Sequence, residues 1–239
     1  MNDLYIRRMT IDWNVIDRNS YLHSIPALRE LNELSFHSGV TLFAGENGTG
    51  KSTLLEAIAV AAGFNAEGGT KNYRFSTYDD VSGLSSAVQL IRGVRRQRYG
   101  FFFRAESFFN VATAIMTKYN DDGQLPDYHS KSHGESFLSF MQTASRDGLY
   151  LMDEPEAALS VQRQLTLLIH ISELARQGAQ FIIATHSPIL LGLPGAEILQ
   201  FDEEGIRPVE YEETESYRIT KLFVENRKGM LRRLLEEED

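Results

Sequence analysis

Cysteine is absent from the 239 residues, which excludes disulfides and thiolate metal sites and is compatible with a reducing cytosol. No apolar run approaches the roughly 18 residues of a membrane span, and Met1 to Arg8 carries no apolar signal segment. A soluble, cytoplasmic protein with no direct membrane insertion is therefore expected. Basic residues are in deficit, 24 Lys and Arg against 33 Asp and Glu, for a net charge of −9. The chain as a whole does not bind polyanions passively, and any nucleic-acid contact must be local. The six histidines are scattered and make no metal motif, and neither a repeat, a low-complexity tract nor a heptad array is visible. What remains is 42% hydrophobic, enough to bury the core of one composite domain.

Against that background one segment stands out. Gly45-Glu46-Asn47-Gly48-Thr49-Gly50-Lys51-Ser52 fits the pattern G-x-x-x-x-G-K-[ST] without mismatch. Gly39 to Ala44 before it reads as a short buried strand, and Lys51 to Ala62 after it as an apolar helix that stops at Gly63. That strand, loop and helix is the context the pattern requires. The glycines let successive backbone N–H groups turn inward around phosphate oxygens, and the helix that starts there adds its positive end. Lys51 reaches the β- and γ-phosphates as a point charge, the Ser52 hydroxyl completes the shell of Mg2+, and Thr53 helps hold the α-phosphate. A plain glycine turn accounts for one or two of the glycines but for neither Lys51 nor Ser52. The chain is expected to bind a nucleoside triphosphate.

Two further segments supply the chemistry such a loop needs. Leu149 to Met152 is an apolar strand ending in Asp153 and Glu154, the Walker B pattern. Asp153 holds the magnesium ion, and Glu154 polarises the water that attacks the γ-phosphate. Phe181 to Thr185 is a second buried strand ending at His186, which at this spacing reads as the side chain that touches the γ-phosphate and steadies the attacking water. A helix from about Ser160 to Gln177 lies between them. The alternation signals an α/β fold with a mostly parallel sheet flanked by helices. Leu4 to Met9 and Met9 to Val15 read as the strands of an antiparallel flap, Tyr99 to Phe103 as a further strand, Ser107 to Tyr119 and Ser136 to Ala144 as helices, and Phe223 to Leu235 as a terminal amphipathic helix before an acidic tail.

In this order, the phosphate loop, Asp153-Glu154-Pro155-Glu156 and Ala184-Thr185-His186-Ser187-Pro188 resemble the ABC-type ATPase heads, in particular the AAA family ATPases of the SMC, RecF and OLD-like group. The resemblance runs from about Leu4 to Glu210. It implies a single ABC-type ATPase domain over 1–239, with an N-terminal antiparallel β flap at 1–36, a P-loop unit at 37–64, a small helical signature subdomain at 107–145, a Walker B and switch-histidine core at 146–210, and a C-terminal helix and acidic tail at 211–239. It also implies ATP and Mg2+ as ligands and a homodimer formed on ATP binding, in which each site is completed in trans by the partner's signature segment. That segment corresponds to Lys131-Ser132-His133-Gly134-Glu135, with Ser132, Gly134 and Glu135 as the trans residues; Ser132 and Glu135 also fit a helix capping box.

The sequence departs from the family in three places. Lys131 and His133 replace the Leu and first Gly of L-S-G-G-[QE]. The strand that would end in the family's metal-sensing Gln ends in Arg104-Ala105-Glu106, which leaves Glu106 as the substitute metal ligand, or as half of a surface ion pair. Ser160 stands where many relatives have Asp in the D-loop. Arg92, Arg95, Arg96 and Arg98 precede an aromatic strand, a mixture that fits either a phosphate backbone or a solvated face. The family reading is a Mg-dependent ATPase that regulates a separate effector protein, in DNA repair or phage defence; the alternatives are the ATP-binding subunit of a membrane transporter and a nucleotide-gated scaffold with little turnover.

Overall fold

The computed structural model describes residues 4–71, 83–105 and 133–235, with 133–136 as backbone only. Two sheets organise them. The larger has six strands in the order β5-β6-β7-β3-β8-β9: β3 Val40–Gly45, β5 Tyr99–Arg104, β6 Gly148–Asp153, β7 Gln180–Ala184, β8 Glu197–Asp202 and β9 Gly205–Val209. All neighbours are parallel except β8 and β9, which form an antiparallel edge hairpin. The smaller sheet is antiparallel, order β2-β1-β4, built from β1 Ile6–Ile11, β2 Glu33–Ser35 and β4 Val88–Arg92.

The central strands are continuous apolar runs because both of their faces are covered. Phe43, Phe102, Leu149, Leu151, Ile182 and Ala184 join one buried cluster. Their neighbours Leu42, Phe101, Phe103, Tyr150, Phe181 and Ile183 join the other. This is the two-residue alternation of the pleat seen from its two sides. Helix α1 Lys51–Ala62 fills the first layer beneath the small sheet, with Leu54, Leu55 and Ile58 fully buried. Helices α3 His133–Gln142 and α4 Val161–Arg176 fill the second, with Phe137, Leu167 and Ile171 at the contact. Burial of each such side chain contributes about 1.5–3 kcal/mol. Buried Gln180 ties the two sheets together, since its amide accepts from the Ile6 N–H and donates to the Ile6 carbonyl, both at 2.9 Å.

Several element boundaries differ from the sequence reading. The N-terminal strand stops at Ile11, and Trp13–Val15 is a single 3-10 turn whose cap, Asp12, accepts from the Asn14 N–H at 3.1 Å; the local carboxylate outcompetes the ladder. A one-turn helix, α2 Leu84–Ala87, precedes β4. Helix α3 starts at His133, three residues earlier than the apolar pattern suggests. The terminal helix is two, α6 Glu215–Glu225 and α7 Arg227–Leu235, after the short α5 Pro188–Leu191; the break falls at Asn226, which caps the second by accepting from the Gly229 N–H at 3.2 Å. The Ser107 to Tyr119 helix lies outside the described residues.

Candidate nucleotide site

Parallel packing brings the C-terminal ends of β3, β6 and β7 side by side, the edge where ligands of open α/β sheets sit. Gly45 ends β3, in register with Phe201 of β8; Asp153 ends β6, opposite Arg104 on one side and Ala184 on the other. The loop from Gly45 to Gly50 leaves this edge and turns into α1. Gly45 (φ 141°) must be glycine, since a Cβ there would press on the Phe201 carbonyl. Gly50 (φ 97°) must be too, because a Cβ would come within 2.8 Å of Ile25 and 2.9 Å of Leu28.

Lys51 folds back over this loop. Its ammonium donates to the carbonyls of Gly45 at 2.8 Å and Glu46 at 2.6 Å, and the residue is only 4% exposed. Burial pushes its pKa below the usual lysine value, while Glu154, Asp153, Glu156 and Glu46 pull it back up. Thr49 closes the loop through its hydroxyl to the Glu46 carbonyl at 2.9 Å. Gly48 (φ 82°) sits in the left-handed region, and Asn47 lies exposed on the loop. Ser52 and Thr53 open α1 at its positive end.

Ser52 Oγ donates to Asp153 Oδ1 at 2.8 Å. The other carboxylate oxygen lies 3.7 Å from Arg104 Nε. Arg104 is itself anchored, its Nη1 meeting Glu56 Oε2 at 2.7 Å and the Ala66 carbonyl at 3.0 Å. Two hard oxygens from Ser52 and Asp153 therefore face one point beside the loop. Among the described residues there is no cluster of three or more His, Asp or Glu that could cage a metal. That donor set fits magnesium, which takes one or two protein oxygens and completes its octahedron with water and phosphate.

Glu154 has φ 48°, the one non-glycine residue at positive φ among those described. Such a backbone costs on the order of 1 kcal/mol or more and persists where its surroundings impose it. Here the Glu154 N–H is held by the Ala184 carbonyl at 2.9 Å. Its carboxylate lies 3.6 Å from His186 Nε2, a nitrogen that is buried without a hydrogen-bond partner. Burial, then the nearby Lys51 charge, hold the His186 pKa below its ordinary value, against an upward pull from Glu154 and Glu156. That shift favours the neutral imidazole.

The residue that sets this histidine was missed as a site residue. Glu156 Oε1 accepts from Thr185 Oγ1 at 2.7 Å, from the His186 N–H at 2.6 Å and from the Ser187 N–H at 3.1 Å. From the other side Ser216 of α6 donates to the His186 carbonyl at 2.8 Å. The signal available in sequence was a second glutamate two residues past Glu154, which composition alone reads as surface charge. Replacing Glu156 with Gln keeps an acceptor but removes the charge, so kcat is expected to fall about three- to tenfold with KM little changed. The acid limb of the pH–rate profile should also move to lower pH, because a carboxylate that favours the imidazolium is gone. Alanine should cost more than Gln; kcat and an acid limb unchanged in both variants would show that Glu156 merely packs.

Of the remaining predicted positions, Gly134 and Glu135 lie within the first turn of α3. Ser132 and Glu106 lie outside the described residues; the residue in register with Asp153 on β5 is Arg104. A cleft of about 280 Å³ opens between the loop and α6, lined by Gly45, Glu46, His186, Thr214 and Ser216.

Comparison with known families matches two in succession along the chain. Residues 20–130 match a family described as "AAA domain", and residues 136–192 one described as "AAA domain, putative AbiEii toxin, Type IV TA system". Both are AAA-domain families, which supports a P-loop NTPase. The chain is an ATP-hydrolysing enzyme, and its fold is α/β, a mostly parallel sheet flanked by helices with an added antiparallel sheet. Among solved structures, this ATPase is similar to "An inward-facing conformation of a putative metal-chelate type ABC transporter", with 16% identity, 81% of each chain covered and a TM-score of 0.40. Comparison with the curated proteins finds no match. Among the described residues of the ATPase, no helix is long and apolar enough to cross a membrane.

Proposed function

We propose that ATP is hydrolysed at the edge formed by β3, β6 and β7, and that the cycle drives a head-to-tail dimer that regulates a partner protein. The observation that carries this reading is the convergence of Lys51, the Ser52 and Asp153 pair, Glu154 and His186 from three segments onto one edge. The loop N–H groups and Lys51 hold the triphosphate. Ser52 and Asp153 would hold magnesium, which supplies charge neutralisation at the phosphate oxygens when bound. Glu154 accepts the proton of the attacking water, and neutral His186 donates to the γ-phosphate and fixes that water in line. Glu156 and Ser216 keep the histidine in reach. Arg104 steadies Asp153 from the neighbouring strand.

Dimerisation rests on the resemblance to ABC heads and on the placement of Gly134 and Glu135 in the first turn of α3, whose positive end suits a phosphate supplied by a second copy. The effector is a separate protein in this reading, in DNA repair or phage defence as for the group the sequence resembles. Light scattering after size exclusion tests it. Glu154→Gln with ATP and magnesium should elute as a dimer, and Ser132→Arg in that background should return it to a monomer. A particle whose mass ignores ATP would remove ATP-driven closure while leaving hydrolysis intact.

A further inference from the structure

At the opposite end of β5 from Asp153, separated by roughly 15–20 Å of strand, lies a second cavity of about 450 Å³. Its wall includes Tyr5, Lys71, Arg92, Arg95, Arg96 and Gln97, and no carboxylate among the described residues lines it. In a protein carrying −9 overall, four cations around one concavity are not an average surface.

The four are not equivalent. Arg95 has structural work, since it pairs with Asp147 at 2.9 Å, donates to the Gly178 carbonyl at 3.0 Å and lies over the Tyr5 ring at 5.0 Å. Lys71 is half-buried, bonded to Gln97 Oε1 at 2.8 Å. Burial and the neighbouring Arg92 press its pKa down to about 8. Arg92 and Arg96 are exposed; among the described residues the one side-chain hydrogen bond of either runs from Arg92 to the Ala61 carbonyl at 3.5 Å, at the limit of an interaction.

Two polar atoms in the same wall are buried without a hydrogen-bond partner among the described residues, the Tyr5 hydroxyl and the Gln97 amide nitrogen. Tyr5 is only 3% exposed, and burial raises its pKa, so its hydroxyl keeps its proton and remains a donor. Buried polar groups are ordinarily satisfied, and each exception asks for a partner. The unsatisfied or weakly engaged groups here are donors, two guanidinium groups, an amide N–H and a hydroxyl, and the Lys71 ammonium adds a further positive charge. The complement of an all-donor, cationic wall is an oxyanion with several acceptor oxygens, and guanidinium forks match phosphate in particular. The volume lies in the range of small-molecule sites.

We propose that this cavity is a second anion site that binds the phosphate or pyrophosphate group of a small molecule of about mononucleotide size, separate from the catalytic edge. Concavity and the unfavourable overall charge favour a small ligand over an extended nucleic-acid backbone. The assignment is independent of the ATPase reading, because none of these residues reaches the phosphate loop.

Calorimetric titration with inorganic pyrophosphate tests it, using Lys51→Ala protein without magnesium so that the catalytic loop is disabled. A second titration uses wild type saturated with a non-hydrolysable ATP analogue, which covers failure of the variant to fold. One equivalent of pyrophosphate should bind in both. Arg92→Ala with Arg96→Ala, two exposed positions whose loss leaves the core untouched, should weaken binding at least about tenfold. AMP should compete with pyrophosphate, whereas a 5′-hydroxyl single strand should not. No binding at millimolar pyrophosphate, or equal affinity in the double variant, would overturn the site. Binding of a 5′-phosphorylated strand without binding of pyrophosphate or AMP would overturn the small-molecule assignment and point to a strand end.

Discussion

Glu154→Gln should reduce kcat for ATP by about a thousandfold while leaving ATP affinity within a few-fold of wild type, because a positioned general base contributes on the order of 10²–10⁴ to rate and little to ground-state binding. The substitution is nearly isosteric. It keeps the positive-φ backbone at this position and the N–H bond to Ala184, so the site should retain its shape. What changes is the carboxylate 3.6 Å from His186, which as an amide can no longer take a proton from water. One of the carboxylates that raise the His186 pKa also disappears, so the imidazole should remain neutral to lower pH in the variant. Steady-state phosphate release beside equilibrium binding of a fluorescent ATP analogue measures both quantities. Turnover within about tenfold of wild type would move the base elsewhere.

Lys51→Ala acts on the opposite term. The ammonium is buried and held by two loop carbonyls at 2.8 and 2.6 Å, so it already occupies the mouth of the loop and needs only to exchange carbonyl partners for phosphate oxygens. Charge-assisted hydrogen bonds of this kind contribute about 1.5–3 kcal/mol. Affinity for ATP should therefore fall about ten- to a hundredfold or more. Removal also relieves a buried charge whose pKa burial already lowers, so the folded state should not suffer in proportion. A melting temperature near that of wild type, with ATP no longer raising it, is the expected signature. An unchanged ATP-induced shift would contradict the assignment of the loop.

Much of this was legible in the sequence for identifiable reasons. The phosphate loop declares itself because its glycines answer to geometry, at Gly45 against Phe201 and at Gly50 against Ile25 and Leu28, and because Lys51 and Ser52 follow at fixed spacing. The strands ending at Asp153 and Ala184 are short apolar runs buried on both faces, a pattern that survives without any knowledge of pairing. What could not be read depends on contacts distant in sequence. Arg104 looks like a strand-end surface charge until parallel pairing sets it opposite Asp153 and α1 brings Glu56 to it. Glu156 looks like a solvated acid until β7 delivers Thr185, His186 and Ser187 to its carboxylate. The division of the C-terminal helix at Asn226 escaped notice because the apolar spacing of Phe223 to Leu235 runs through a local side-chain cap that propensity does not weigh. The arginines form a run in the sequence, but their concavity with Tyr5 and Lys71 is a property of packing.

The most direct test of the central claim, that one edge both holds ATP and cleaves it, is to measure bound nucleotide and released phosphate together on wild type, Lys51→Ala and Glu154→Gln with magnesium. The account predicts that wild type releases phosphate, that Lys51→Ala retains little ATP, and that Glu154→Gln retains ATP that stays intact. Turnover by Glu154→Gln at the wild-type rate, or full ATP retention and cleavage by Lys51→Ala, would contradict it.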